Sequence, residues 1–126
     1  MQHYLFDTNI LIYYFNGEME SLVENKVSKL MSESFQISVI SKMEFLGFPF
    51  NEQEKQQASD FIEYAEIKML TDKIVQKVIE IRQEKRIKLP DAIIAATAME
   101  YSAILITRNT KDFTSLPLEI LNPFND

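Results

Sequence analysis

Tyr4-Leu5-Phe6-Asp7-Thr8-Asn9-Ile10-Leu11 is the stretch on which the reading of the fold turns. Tyr4 to Phe6 reads as a short buried strand that ends at Asp7. Asp7 or Thr8 then caps a helix carrying Ile10, Leu11, Tyr14 and Phe15, and Gly17 ends it. A buried strand running through an acid into a helix is the opening of an alternating α/β chain.

The alternation continues outward from there. A second amphipathic helix carries Leu22, Val23, Val27, Leu30 and Met31. Phe35 to Ile40 reads as a strand, and a helix runs from near Ser41 to Gly47–Pro49. Asn51 opens another helix, with Glu54 completing a capping box, and this helix reaches about Tyr64. Ile67 to Leu70 is a weak strand. Thr71 opens a long helix with Ile74, Val75, Val78, Ile79 and Ile81 on its apolar positions. Lys85 to Pro90 is a basic turn, and Asp91 to Tyr101 an alanine-rich helix. Ile104 to Ile106 is a strand, Lys111 to Phe113 a turn, and Leu118 to Leu121 the last strand. Strands alternating with helices predict a mainly parallel sheet covered on both faces. In such sheets ligands sit beyond the carboxyl ends of the strands.

Composition narrows the chemistry. The 126 residues predict one domain, 46% hydrophobic and 25% charged, an ordinary globular balance. There is no cysteine and His3 is the only histidine, so a zinc site lacks its ligands. A catalytic metal would be held by oxygen, which points to magnesium or manganese. The net charge of −6 argues against gripping nucleic acid by bulk charge. No apolar run is long enough to span a bilayer, and Asp7 interrupts any leader-like start, so a cytoplasmic protein with no membrane partner is expected.

Asp7, Glu44, Asp91 and Asp112 are the acids that a parallel sheet could gather at its carboxyl edge. Two carboxylates about 5 Å apart repel by about 3 kcal/mol at an effective dielectric near 20, so a fold that gathers several needs a cation. Each acid also has a purely structural use. Asp7 can cap a helix. Ser41-Lys42-Met43-Glu44 matches a capping box, the reading its local sequence favours. Asp91 after Pro90 suits any first helical turn, and Asp112 can cap a short turn. Their joint placement at strand ends carries more than any one of them. Ala92, Ala95, Ala96 and Ala98 favour a helix and allow close packing. His3, with no partner motif, reads as a surface or strand residue. Lys77, Arg82, Lys85, Arg86 and Lys88 form the one basic stretch. It is either a solvated face or, because it leads into Asp91, a guide for an RNA backbone.

Taken together, Tyr4–Asn9, Ser41–Glu44, Leu89-Pro90-Asp91-Ala92-Ile93-Ile94-Ala95-Ala96-Thr97-Ala98 and Thr107-Arg108-Asn109-Thr110-Lys111-Asp112-Phe113 resemble the PIN-domain family, and within it the VapC-like toxins of toxin–antitoxin pairs. The blocks span nearly the whole chain in the family's order. The resemblance implies a three-layer α/β/α fold over residues 1–126. It implies Asp7, Glu44 and Asp91 as the core that holds magnesium or manganese, with Thr8, Asn9 and Thr107 in support. The fourth position, often Asp in the family, falls on Asn109 here, with Asp112 three residues on, and either can serve. It also implies endonucleolytic hydrolysis of RNA to 5′-phosphate and 3′-hydroxyl ends, a homodimer, and an antitoxin that silences the site. An acidic site suits a basic inhibitor.

Three other readings compete. A receiver domain needs a phosphoacceptor Asp at the end of a middle strand, but Asp60, the only such acid, falls in a predicted helix. An Asp-x-Asp-x-Thr phosphatase needs a second acid where Asn9 stands. A PIN-like domain kept for binding RNA or protein, without catalysis, is opposed by the intact acids and distinguished by metal binding and cleavage.

Overall fold

The computed structural model describes residues 2–125. Its elements run β1 (Tyr4–Phe6), α1 (Thr8–Phe15), α2 (Ser21–Glu33), β2 (Gln36–Ser38), α3 (Val39–Leu46), α4 (Glu52–Ile62) and β3 (Glu66–Lys68). Then come α5 (Asp72–Glu84), α6 (Leu89–Glu100), β4 (Ile104–Ile106), a 3₁₀ turn at Thr110–Asp112, and β5 (Ile120–Leu121). Every expected element is present, and the differences lie at the ends.

Those ends have local causes. The strand expected over Phe35–Ile40 is cut to Gln36–Ser38 because the Ser38 hydroxyl accepts the Ile40 amide at 3.2 Å and starts α3 there. Ser41 therefore lies inside α3, and the Ser41–Glu44 capping box does not form. Helix α6 begins at Leu89 rather than Asp91, so the basic turn is shorter than expected. Pro90 sits in its first turn, where a missing N–H costs nothing, and the Ala92 amide already bonds the Lys88 carbonyl at 2.9 Å. The Asn51–Glu54 capping box forms as expected. Gly17, at φ 68°, ends α1 in the left-handed region that favours glycine.

The sheet has the order β3-β2-β1-β4-β5, and every pairing is parallel. From β1 the chain moves outward to β2 and β3, then returns to the other side for β4 and β5. The direction of winding thus reverses between β1 and β4, where a crevice opens at the carboxyl edge.

The register explains the layers. Leu5 pairs with Leu105, and both join a buried cluster with Ile74, Val78 and Ile81 of α5 and the alanines of α6. Phe6 pairs with Ile106, and both point the other way, into a cluster with Ile10, Leu11, Val27, Phe45, Ala58 and Ile62. Alternate side chains of strands only three residues long are thus buried on opposite faces. The result is three layers, α/β/α. Ala92, Ala95, Ala96 and Ala98 are all buried, which lets α6 pack against α5, α3 and the sheet together. Among the described residues no helix is long and apolar enough to cross a membrane.

Candidate active site

Asp7 is the anchor. It follows β1 and has the extended backbone of an N-cap, and its Oδ1 accepts the Thr8 amide at 2.7 Å. Its Oδ2 accepts from the Thr107 hydroxyl at 2.7 Å and from Asn9 Nδ2 at 3.2 Å. Asp7 therefore caps α1 through one oxygen and binds Thr107 and Asn9 through the other. Thr107 follows β4, so its bond to Asp7 spans the point where the winding reverses. The Thr107 oxygen also accepts the Asn109 amide at 3.0 Å, which ties the following loop to the same carboxylate.

Only 5% of Asp7 is exposed. Burial pushes its carboxyl up to about 6. The Thr107 and Thr8 hydrogen bonds pull the other way, and the charges of Asp91 and Glu44 add to the rise. Asp91 is raised as well: by burial first, then by the charge of Asp112, with Lys88 opposing and Glu44 adding. Asp7 thus feels the charges of Asp91 and Glu44, and Asp91 those of Asp112 and Glu44, although these acids come from the end of β1, α3, α6 and the turn after β4.

Glu44 lies one turn into α3. Thr8 Oγ1 is 2.6 Å from Glu44 Oε1 and 3.0 Å from Ser41 Oγ. A hydroxyl carries one proton, and the short contact to a carboxylate claims it, which leaves Ser41 to donate to Thr8. Ser41 is fully buried. It was legible in the sequence only as a cap, yet it orients Thr8. The signal for that role is its position one helical turn before Glu44 on the same face of α3.

Asp91 is half-buried in the first turn of α6, at the end whose dipole favours an anion. Lys88 is the N-cap residue of that helix and the charge that lowers Asp91. Asp112 is exposed at the end of the 3₁₀ turn, and its amide bonds the Asn109 carbonyl at 3.2 Å. Of the two candidates for the fourth position, Asp112 is the one whose charge reaches Asp91, while Asn109 is tied to Thr107 through its backbone. Arg82, Lys85 and Arg86 are exposed, with Arg82 Nε donating to the Ile87 carbonyl at 3.3 Å.

The candidate acids are all oxygen donors, a set whose chemistry suits a hard divalent cation. As the side chains stand, no group of three or more His, Asp or Glu among the described residues is arranged to hold one ion. Asp60, by contrast, is exposed within α4 and bonded by Gln56, away from any strand end, which removes the receiver reading.

Residues 4–117 match the PIN domain. The chain belongs to the PIN domain family.

Solved structures agree with the architecture. A chain in a toxin–antitoxin complex from Klebsiella pneumoniae is 34% identical, with a TM-score of 0.79, over 97% of this chain and 98% of that one. A chain of VapBC2 from Rickettsia felis, bound to a DNA fragment from their promoter, is 27% identical with a TM-score of 0.81, over 96% and 98%. DNA-bound VapBC from Salmonella typhimurium reaches a TM-score of 0.82 at 20% identity, over 98% and 99%, and speaks to the fold alone. No curated protein matches the sequence.

Proposed function

We propose that this PIN domain is a metal-dependent endoribonuclease and the toxin of a toxin–antitoxin pair. One observation carries the reading. At the carboxyl edge beside the β1–β4 reversal, burial first and then neighbouring acids (Asp91 and Glu44 on Asp7, Asp112 and Glu44 on Asp91) raise the proton affinity of Asp7 and Asp91. Such mutual repulsion is a cost that folding does not need and that a cation would offset. The solved toxin–antitoxin complexes supply the toxin part of the reading.

Asp7, Glu44 and Asp91 would hold magnesium or manganese. Bound there, the ion would polarise the scissile phosphate and ease ionisation of water. The chain's own residues do the rest. Thr107, Asn9 and the Thr8 amide keep Asp7 pointed into the crevice. Thr8, itself held by Ser41, orients Glu44. The N-terminal turn of α6 favours the ionised form of Asp91 against the burial that opposes it. Asp112 sits beside Asp91 and Asn109 braces the loop. Arg82, Lys85, Arg86 and Lys88 lie before Asp91 and offer charge to an RNA backbone.

A basic antitoxin segment would find these carboxylates complementary. A homodimer would cover the exposed apolar side chains of Leu70, Val75, Ile79 and Leu89, which with Val78 and Ile93 line one groove along α5 and α6. The RNA such a toxin cuts lies in the cytoplasm, which is where the reading places it. A second reading, a PIN domain that binds without cutting, has one observation in its favour: the acids are not drawn up as a ready ligand set.

The deciding experiment is cleavage of a mixed RNA pool by the purified protein with manganese, with chelator, and as Asp91→Asn. Cleavage in the first case alone supports the nuclease. Metal binding without cleavage of any RNA favours the binding module.

A further inference from the structure

Arg108 follows Thr107 directly and so leaves β4 at the same edge as Asp7. Its guanidinium carbon lies 5.1 Å from the centroid of the Tyr13 ring and 4.5 Å from that of Phe124. The two rings meet edge to face, 5.8 Å apart at 70°. Tyr13 comes from α1 and Phe124 from the segment after β5, so two distant parts of the chain hold one cation. The backbone is tied as well. The Arg108 amide donates to Asn9 Oδ1 at 3.4 Å, and Asn9 in turn reaches Asp7. The Arg108 carbonyl accepts from Asn122 Nδ2 at 3.5 Å, and Asn122 Oδ1 takes the Phe124 amide at 2.9 Å.

A guanidinium carries five N–H donors. Among the described residues, those of Arg108 enter no ion pair and no hydrogen bond. With their centroids only 5.8 Å apart, the two rings pack against one side of the cation, and its N–H donors are left without protein partners among the described residues. The side chain is exposed and opens on a cleft of about 520 Å³ shared with Glu18, Glu20, Asn122 and Asn125. Lys85 and Arg86, by comparison, are exposed in a turn with no aromatic ring set against them. Arg108 leaves the same edge as Asp7 through its backbone, and its guanidinium is held in place by two rings.

An edge lined with carboxylates, on a chain of net charge −6, repels a polyanion. A fixed cation beside it answers that repulsion, and its fork of donors fits a phosphate. We propose that Arg108 is a substrate-binding residue of this PIN domain, its free guanidinium edge taking a phosphate of the RNA strand next to the acids. This rests on the ribonuclease reading. Glu18 and Glu20 line the same cleft and disfavour a phosphate beside them.

The test measures binding of a single-stranded RNA pool against salt in an Asp91→Asn background, with Arg108→Gln, Arg108→Lys and Phe124→Ala added in turn. We expect Arg108→Gln to weaken binding about tenfold. It should also shrink the slope of log affinity against log salt by about 0.7, the value for one phosphate contact on a single strand. Arg108→Lys should restore the slope while binding more weakly than arginine. Phe124→Ala should leave the slope unchanged, because the charge remains. In the cleaving protein, Arg108→Gln should raise KM and leave kcat within about twofold.

An unchanged slope in Arg108→Gln overturns the proposal, whether or not affinity falls, because a packing role would not move it. Intact RNA binding with impaired capture of a protein partner overturns it too. If Arg108→Gln fails to fold, Arg108→Met in the same background decides: a slope equal to that of the Asp91→Asn protein would mark a structural cation and overturn the proposal. If the Asp91→Asn and unmutated proteins neither bind nor cut RNA, the ribonuclease reading falls and this inference falls with it. A loss confined to the Arg108 variants leaves that reading standing.

Discussion

The two edges of the sheet are built to different standards. At the carboxyl edge, each oxygen of the buried Asp7 side chain has a partner, and Oδ2 has two. At the amino edge, the buried Gln36 amide meets His3 Nδ1 through its nitrogen at 3.0 Å, while its Oε1 has no partner among the described residues. Unpartnered buried oxygens cost stability, yet here the unpaired one is left where nothing else converges. The carboxyl edge instead holds a fully bonded Asp7 whose carboxylate is opposed by the charges of Asp91 and Glu44. Its geometry is over-determined and its electrostatics are unfavourable. That pairing is expected of a site shaped for a charged ligand rather than for stability.

Substitutions at the two edges should separate on this basis. The largest effect belongs to Asp91→Asn. Cleavage should fall about a thousandfold or more, with the circular dichroism spectrum unchanged, because the proposed metal ligand is lost without a change of volume. Activity within tenfold of the unmutated protein would remove Asp91 from the site.

Thr107→Val should cost about 1–3 kcal/mol of stability and about 10- to 100-fold in cleavage, since it strips a donor from a buried carboxylate. Chemical denaturation and kinetics would read the two effects separately. A loss of stability alone would make Thr107 a scaffold residue only.

Millimolar manganese should raise the melting temperature. A ligand present at about a hundred times its dissociation constant contributes about 2.7 kcal/mol, and Asp91→Asn should erase the shift. A shift that survives Asp91→Asn would move the metal elsewhere.

Acid should separate stability from activity. Asp7 titrates near 6 in the folded protein, above its ordinary 3.8. Between those values the folded state holds more protons than the unfolded one, so stability in chelator should rise as pH falls from about 6 toward 4. The gain is bounded at about 3 kcal/mol by the size of the rise. Over the same range cleavage should fall, because protonated Asp7 is a poor ligand. Stability that falls on entering this range would contradict the raised carboxyl.

The smallest change belongs to the amino edge. Gln36→Leu removes the unpartnered oxygen and should shift stability by less than about 1 kcal/mol, with cleavage untouched. A clear loss of activity there would break the contrast between the edges.

Much of the architecture could be read from residue pattern. Tyr4–Phe6 and Ile104–Ile106 announce strands buried on both faces, and Asn51 with Glu54 announces a helix start that forms as expected. The boundaries that moved did so through capping chemistry with more than one candidate. Ser38 and Ser41 are both good caps, and nothing local says which hydroxyl will be free. The candidate acids were visible for the same reason they were ambiguous: Asp7, Glu44 and Asp91 each sit where an ordinary cap or first-turn acid would sit.

The sequence by itself determined which residue types are available and how they are spaced. Cysteine is absent, histidine occurs once, and oxygen donors stand at strand ends and first turns. These facts follow from composition and from periods of 2 and 3.6 residues, which are local. Only the tertiary structure decided that Glu44 answers to Thr8 rather than to its own helix start. It alone brought Thr107 to Asp7 across a hundred residues and set Arg108 against Tyr13 and Phe124. Those contacts depend on the register of β1 against β4 and on the close approach of α1 and α3. Register and packing are properties of the assembled sheet, and no window of the chain contains them.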